Sequence, residues 1–293
     1  MKITGKTRLL AVIGDPVRHS MSPLMHNAAL QELGLDFVYV ALPIAGADLA
    51  AAIAGLSAID LAGFNITLPH KQAIMPHLQG ISDSAQAVGA VNTVWRSARG
   101  WEGTNTDVEG FIAPLKALDR DWSIARVICL GNGGAARAVV AGAQQLGCAA
   151  IQVFGRNVEK LAQFQTSWQG SALGADLAQR LTVHPWADLA TAIGAADLIV
   201  NTTPIGMSPQ IEANPLSATE VAAIRPGTIA YDLIYVPRPT QFLQQAQVQG
   251  AIAIDGLEML VQQGAAALRI WAKTETVPVA TMRRTLEQHL GVG

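Results

Sequence analysis

The stretch Val127-Ile128-Cys129-Leu130-Gly131-Asn132-Gly133-Gly134-Ala135-Ala136 decides the fold. Its first four residues are an apolar run that stops at a glycine, the pattern of a strand buried on both faces. The remaining six fit G-x-G-x-x-A, and an Ala-rich helical pattern runs on from Ala135 to Leu146. In that setting each small residue has a task. Gly131 allows a tight turn, Gly133 lets backbone amides approach a pyrophosphate, and Ala136 lets helix and strand pack closely. The helix start adds unpaired N–H groups and the positive end of its dipole. Gly131, Asn132, Gly133, Gly134 and Ala135 are therefore candidate dinucleotide-binding residues. An ordinary glycine-containing βα turn would look the same locally; the flanking strand and helix favour the nucleotide.

Downstream, a second strand over Ala149–Phe154 ends in Gly155-Arg156-Asn157. A carboxylate at this point would hold the ribose 2′-hydroxyl of NAD. No acid appears before Glu159, whereas Arg156 is followed one helical turn on by Lys160. Two cations favour the 2′-phosphate of NADP, although a solvated loop arginine would leave the same trace. A helix over Val158–Trp168 and strands at Leu198–Val200, Thr228–Asp232 and Ile252–Ile254 continue the alternation. This βαβα order predicts a doubly wound parallel sheet covered by helices on both faces.

Upstream the pattern is similar but carries no glycine-rich phosphate loop. Leu9–Ile13 reads as a strand, Ser22-Pro23 as a helix start with Ser as cap, and Phe37–Leu42 as a second strand. Gly46–Leu56 is helical and Leu61–Thr67 strand-like. Val91–Trp95 and Gly100–Gly103 form a hairpin about Ser97-Ala98-Arg99, and Asp107 caps a helix over Val108–Leu118. A rise in polarity at Asp119-Arg120-Asp121 marks a junction between two halves.

Composition narrows the function. The chain has 293 residues, 20 Lys+Arg against 22 Asp+Glu, half of its residues hydrophobic and 14% charged. That is enough apolar material for full cores and too little polarity for disorder. With no basic face for nucleic acid, the expected partners are a small-molecule substrate and another copy of the chain as a homodimer. Two cysteines and six scattered histidines give neither a disulfide framework nor a zinc-ligand spacing, so no metal is expected. There is no signal-peptide pattern after Met1 and no apolar run long enough for a membrane. A cytoplasmic location is expected.

The first half carries polar clusters at strand ends: Arg18-His19-Ser20-Met21-Ser22-Pro23, Asn65-Ile66-Thr67-Leu68-Pro69-His70-Lys71, Gly89-Ala90-Val91-Asn92-Thr93 and Thr104-Asn105-Thr106-Asp107. Taken singly, Ser22 and Asp107 read as helix caps and Asn92 as a turn residue. In order, HSxSP, NxTxPHK, GAVNT, TNTD and GxGGAxR resemble the shikimate dehydrogenase family. Tyr231-Asp232-Leu233-Ile234-Tyr235 and Asp255-Gly256-Leu257-Glu258-Met259-Leu260-Val261-Gln262-Gln263 resemble its closing motifs.

The resemblance implies two α/β domains with a cleft between them. One is a discontinuous substrate domain, residues 1–108 plus 257–293, with a mainly parallel sheet. The other is a Rossmann-type NADP domain, residues 109–256. It implies reversible NADPH-dependent reduction of 3-dehydroshikimate to shikimate, in aromatic amino-acid (chorismate) biosynthesis. Ser20 and Ser22 would bind the substrate carboxylate; Thr67, Asn92, Asp107 and Gln263 its ring hydroxyls; Asn65 and Tyr235 would line the same pocket. Hydride transfer to a ketone builds negative charge on oxygen, so a proton donor is required. Lys71 would be that general acid/base, assisted by Asp107. The cofactor residues would be Gly131 to Ala135, Gly155, Arg156, Asn157 and Lys160, with the backbone at Leu233 and Gly256. The family's Asn-Arg-Thr is Gly155-Arg156-Asn157 here, which removes one hydroxyl from the phosphate site, while its Asn-x-Thr-Pro loop is kept as Asn201 to Met207. Three alternatives stay open: a quinate/shikimate dehydrogenase using NAD(P), a non-catalytic nucleotide-sensing module, and a folate dehydrogenase of similar build.

Overall fold

The computed structural model describes residues 2–291; residues 1, 292 and 293, at the ends of the expected substrate domain, lie outside the described residues. The chain divides into two compact units, Met1–Gly110 with Leu260–Gly293, and Phe111–Met259. The polar stretch at Asp119–Asp121 falls inside the second of these.

The first unit is built on β1 (Arg8–Gly14), β2 (Phe37–Pro43), β3 (Gly63–Ile66), β4 (Gly80–Ile81), β5 (Thr93–Ser97) and β6 (Gly100–Thr104). They form one sheet in the order β2-β1-β3-β5-β6-β4. Beyond Arg8, β1 is apolar and lies between two parallel neighbours, which is why it carries no polar alternation. The helix Leu49–Ala58 turns Leu49, Ile53 and Leu56 onto one face, where they meet Ile13, Phe64, Ile66 and Trp101 in the core.

β5 runs antiparallel to both β3 and β6, and Ser97 pairs with Gly100 to close the expected hairpin. That reversal has a consequence for the site. Asn65 pairs with Thr93, and Thr93 pairs with Thr104. The end of β3, the start of β5 and the end of β6 therefore lie side by side, each followed or preceded by one of the polar clusters. The C-terminal helices complete this unit: the helix Leu257–Ala272 enters it from Leu260, and Val279–Leu290 packs against the helix Ser22–Glu32.

The second unit has β7 (Arg126–Leu130), β8 (Ala150–Gly155), β9 (Leu181–Pro185), β10 (Leu198–Asn201), β11 (Ile229–Asp232) and β12 (Ile252–Ile254). All pairs are parallel, in the order β12-β11-β10-β7-β8-β9. The winding reverses beside β7, so the carboxyl end of β7 is the switch point where open α/β sheets bind ligands. β9 is absent from the sequence reading. It is an edge strand with only Leu181 fully buried, and its short pattern is too polar to register as a core strand.

Two helix starts differ from expectation. The helix Ser22–Glu32 begins at Ser22 itself; Met21 holds the cap position and no side chain caps it. Asp107 is the first residue of the helix Asp107–Lys116. The cap there is Asn105, whose Oδ1 accepts from the N–H groups of Asp107 and Val108 at 3.0 and 3.4 Å. In both places the hydroxyl or carboxylate taken for a cap is released for other contacts. Among the described residues no helix is long and apolar enough to cross a membrane.

Candidate active site

Lys71 follows β3 on the one-turn helix His70–Ala73 and is tied to the start of β5, its carbonyl accepting the N–H of Val91 at 2.8 Å. Its Nζ donates to Oδ2 of Asp107 at 2.6 Å. The lysine side chain is 15% exposed and the aspartate 6%, so the pair is largely sheltered from water but open on the lysine side. An ammonium has three donors. Asp107 takes one, which leaves the others to meet an oxygen from outside.

Asn92 holds the other oxygen of that carboxylate. Its Nδ2 donates to Oδ1 of Asp107 at 2.9 Å, to Oγ1 of Thr106 at 3.0 Å and to Oε1 of Gln263 at 3.3 Å. Its Oδ1 accepts from Thr106 N at 2.7 Å and from Thr93 Oγ1 at 3.1 Å. Gln263 is fixed in turn by donation to the carbonyl of Leu260 at 2.8 Å. A buried carboxylate that accepts from both an ammonium and an amide has its desolvation offset by charge-assisted bonds, so its position is well defined.

The structure thus brings Lys71, Asn92, Asp107 and Gln263 together. Asn65 joins them through Thr93, to whose hydroxyl its Nδ2 donates at 3.0 Å. Thr67 stands half-buried just beyond β3. Ser20 and Ser22 are adjacent, with the N–H of Ser22 donating to Ser20 Oγ at 3.3 Å. Tyr235 is half-buried in the second unit, after β11. Sequence reasoning missed Thr93 and Thr106, although both lie inside motifs it quoted. It also missed Tyr39, which reads only as a core aromatic on β2.

In the second unit, Gly131 sits at φ +103°, and a Cβ there would lie 2.8 Å from the Thr202 hydroxyl. The helix Gly134–Gln145 starts from Gly133 with no side-chain cap, and a Cβ on Gly133 would meet nothing within 4 Å. The first-turn N–H groups thus face open space at the switch point, an arrangement suited to a pyrophosphate. At the end of β8, the exposed Arg156 guanidinium lies 5.6 Å from the ring of Trp186, which follows β9. Asn157 caps the next helix, accepting from Lys160 N at 2.8 Å. Its amide nitrogen is what remains for a phosphate. Lys160 is exposed. A Cβ on Gly256 would lie 2.1 Å from the Leu233 carbonyl, so these two backbones are in direct contact.

Beneath this surface Asn201 and Asp232 clamp two loops together. Asn201 Nδ2 donates to Asp232 at 3.0 Å and to the carbonyl of Ile205 at 3.1 Å. Asp232 also accepts from Ile234 N at 3.1 Å and Thr240 Oγ1 at 2.7 Å. Burial raises the Asp232 carboxyl to about 6, against the pull of those donors. Burial likewise pushes the Cys129 thiol up to about 12, which leaves it unreactive. Among the described residues no group of three or more His, Cys, Asp or Glu is placed to hold a metal ion.

Known proteins share both halves of this architecture. A family model for the shikimate dehydrogenase substrate binding domain matches residues 12–94, and one for the shikimate 5′-dehydrogenase C-terminal domain matches 256–287. A shikimate dehydrogenase (NADP(+)) from Trichormus variabilis is 60% identical over 291 residues, covering 99% of each chain. The chain belongs to the shikimate dehydrogenase family. A family member solved in complex with NADP+ superposes with a TM-score of 0.87 at 33% identity, covering 99% of this chain and 98% of that one. A shikimate 5-dehydrogenase from Thermus thermophilus, solved with NADP(H) and shikimate, has a TM-score of 0.82 at 32% identity, covering 96% and 99%.

Proposed function

We propose that the chain catalyses the reversible, NADPH-dependent reduction of 3-dehydroshikimate to shikimate, with Lys71 as general acid and base. The observation that carries this reading is the sheltered Lys71–Asp107 pair at 2.6 Å. A module that only sensed a nucleotide would need no such proton donor. NADPH, when bound, supplies the hydride. Lys71 gives a proton to the carbonyl oxygen as charge builds there, and takes it back in the oxidative direction. Asp107 orients the ammonium and, with Asn92 and Gln263, presents acceptors and donors to the ring hydroxyls. Thr67 and Asn65 extend that set. Ser20 and Ser22 bind the carboxylate. A site built on hydroxyl contacts rejects analogues that lack them by large factors.

For the cofactor, the amides from Gly131 to Ala135 receive the pyrophosphate. Arg156, Asn157 and Lys160 would receive the 2′-phosphate around Gly155, and the backbone at Leu233 and Gly256 would border the cofactor. Trp186 supports this assignment, since a ring under the guanidinium restricts where Arg156 presents its donors. The substrate domain is then 1–108 with 257–293, and the NADP domain 109–256. A biosynthetic role of this kind places the protein in the cytoplasm.

The test follows the nicotinamide absorbance with shikimate or quinate, each against NADP or NAD. The expected result is turnover of shikimate with NADP well above the other three combinations. Absence of turnover with shikimate, or equal use of quinate and NAD, overturns the reading.

A further inference from the structure

Tyr39 lies on β2 with 1% of its surface exposed, stacked on the His26 ring at a centroid distance of 4.3 Å and an interplanar angle of 12°. Its hydroxyl is 2.7 Å from Oδ1 of Asn65. The direction of this bond is determined by its neighbours. Asn65 Nδ2 lies 3.1 Å from the carbonyl of Asn92. A carbonyl can only accept, so the amide nitrogen must face it and the amide oxygen must face Tyr39. The phenol is therefore the donor.

Both N–H groups of Asn65 are then used, one by the Asn92 carbonyl and one by the Thr93 hydroxyl at 3.0 Å. What Asn65 offers a substrate is the remaining lone pair of Oδ1, aimed by the bond from Tyr39. One buried phenol thus stands behind a residue assigned to the substrate pocket.

We propose that Tyr39 is a positioning residue for substrate recognition, fixing the amide of Asn65 so that its oxygen meets the substrate in one geometry; this rests on the reading of the first unit as the shikimate site. Tyr39 touches no reacting atom, so its loss acts on substrate affinity rather than on the chemical step. Its ring packs in the core, and its hydroxyl alone carries the recognition role.

Tyr39→Phe separates the two, because it keeps the ring on His26 and removes only the donor. The expected result is a KM for shikimate raised about tenfold, the worth of one well-placed neutral hydrogen bond. We expect kcat within about threefold and an unchanged KM for NADP. In an Asn65→Ala background the same substitution should add less than about twofold, since residues acting through one another are not additive. A KM unchanged in the wild-type background overturns the proposal, as does an equal factor in both backgrounds. So does a Tyr39→Phe protein that loses its fold, because the hydroxyl would then be structural. The wild-type rate with shikimate, measured alongside, tests the site reading by itself.

Discussion

Two single residues carry the chemistry and the recognition most directly. Lys71→Ala removes the donor that faces the open side of the Lys71–Asp107 pair. Turnover should fall by roughly two to four orders of magnitude, the usual worth of a positioned acid or base, with a much smaller change in KM. Steady-state kinetics in both directions measure it, and turnover surviving within a few-fold would remove Lys71 from the proton step. Ser22 is a second case, because its other role has been eliminated by geometry. A capping serine replaced by alanine costs about 1 kcal/mol of stability, but the helix here begins at Ser22 and Met21 occupies the cap. Ser22→Ala should therefore raise the KM for shikimate, leave NADP binding unchanged and shift thermal unfolding by less than a lost cap would. An unchanged KM would defeat the carboxylate assignment. At this scale the sequence was most informative where residues sit inside short motifs. Asn92, Asp107, Lys71 and Gln263 were readable as a group through their motifs, but the pairings that hold them were not. Tyr39 lies 26 positions from Asn65, and Gln263 reaches Asn92 across 171. Pairings at that separation come from sheet register and domain connectivity, and no local pattern encodes them.

Among the elements, the strand, turn and helix from Arg126 to Gln145 were legible in full, because their local chemistry is constrained at each step. Gly131 must adopt a positive φ, and the uncapped helix start follows from glycines at and beside the cap position. The element that supports Arg156 was not legible. β9 is a half-exposed edge strand, and Trp186 after it reads as an isolated aromatic. Register brings the ends of β8 and β9 together, pairing Gly155 with Pro185, and this sets Arg156 beside Trp186. A 2′-phosphate met by a forked guanidinium gains charge-assisted bonds worth roughly 1.5–3 kcal/mol each. NADP should accordingly exceed NAD by about ten- to a hundred-fold in kcat/KM. Arg156→Asp should shrink or reverse that ratio by exchanging the cation for a carboxylate suited to the ribose hydroxyls. Kinetics with both cofactors on both proteins decide it; an unaltered ratio in the variant would move the 2′-phosphate site elsewhere.

The whole molecule consists of two units whose buried titratable groups respond to acid in opposite directions. His26, in the first unit, is enclosed by Tyr39 and Trp271, and neither ring nitrogen has a partner. Burial lowers it from 6.5 to about 3. The unfolded chain therefore takes up a proton that the folded unit refuses. The stability this represents is fully present above pH 6.5 and is lost as the pH falls from 6.5 toward 3, up to about 5 kcal/mol. Asp232, in the second unit, is raised from 3.8 to about 6, chiefly by burial. There the folded unit holds the proton more tightly, so stability is greatest below pH 3.8 and falls by up to about 3 kcal/mol as the pH rises through 6. Between about pH 6 and 4, acid should thus weaken residues 2–110 and 260–291 through His26 and strengthen residues 111–259 through Asp232. Hydrogen exchange at pH 7 and pH 5, corrected for intrinsic rates, should show the first unit losing protection before the second. His26→Phe keeps an aromatic ring against Tyr39 and removes the titrating group, so it should abolish most of the acid sensitivity of the first unit and leave the second unchanged. Equal loss of protection in both units, or an acid response untouched by His26→Phe, would show that His26 is not the group through which acid opens the first unit.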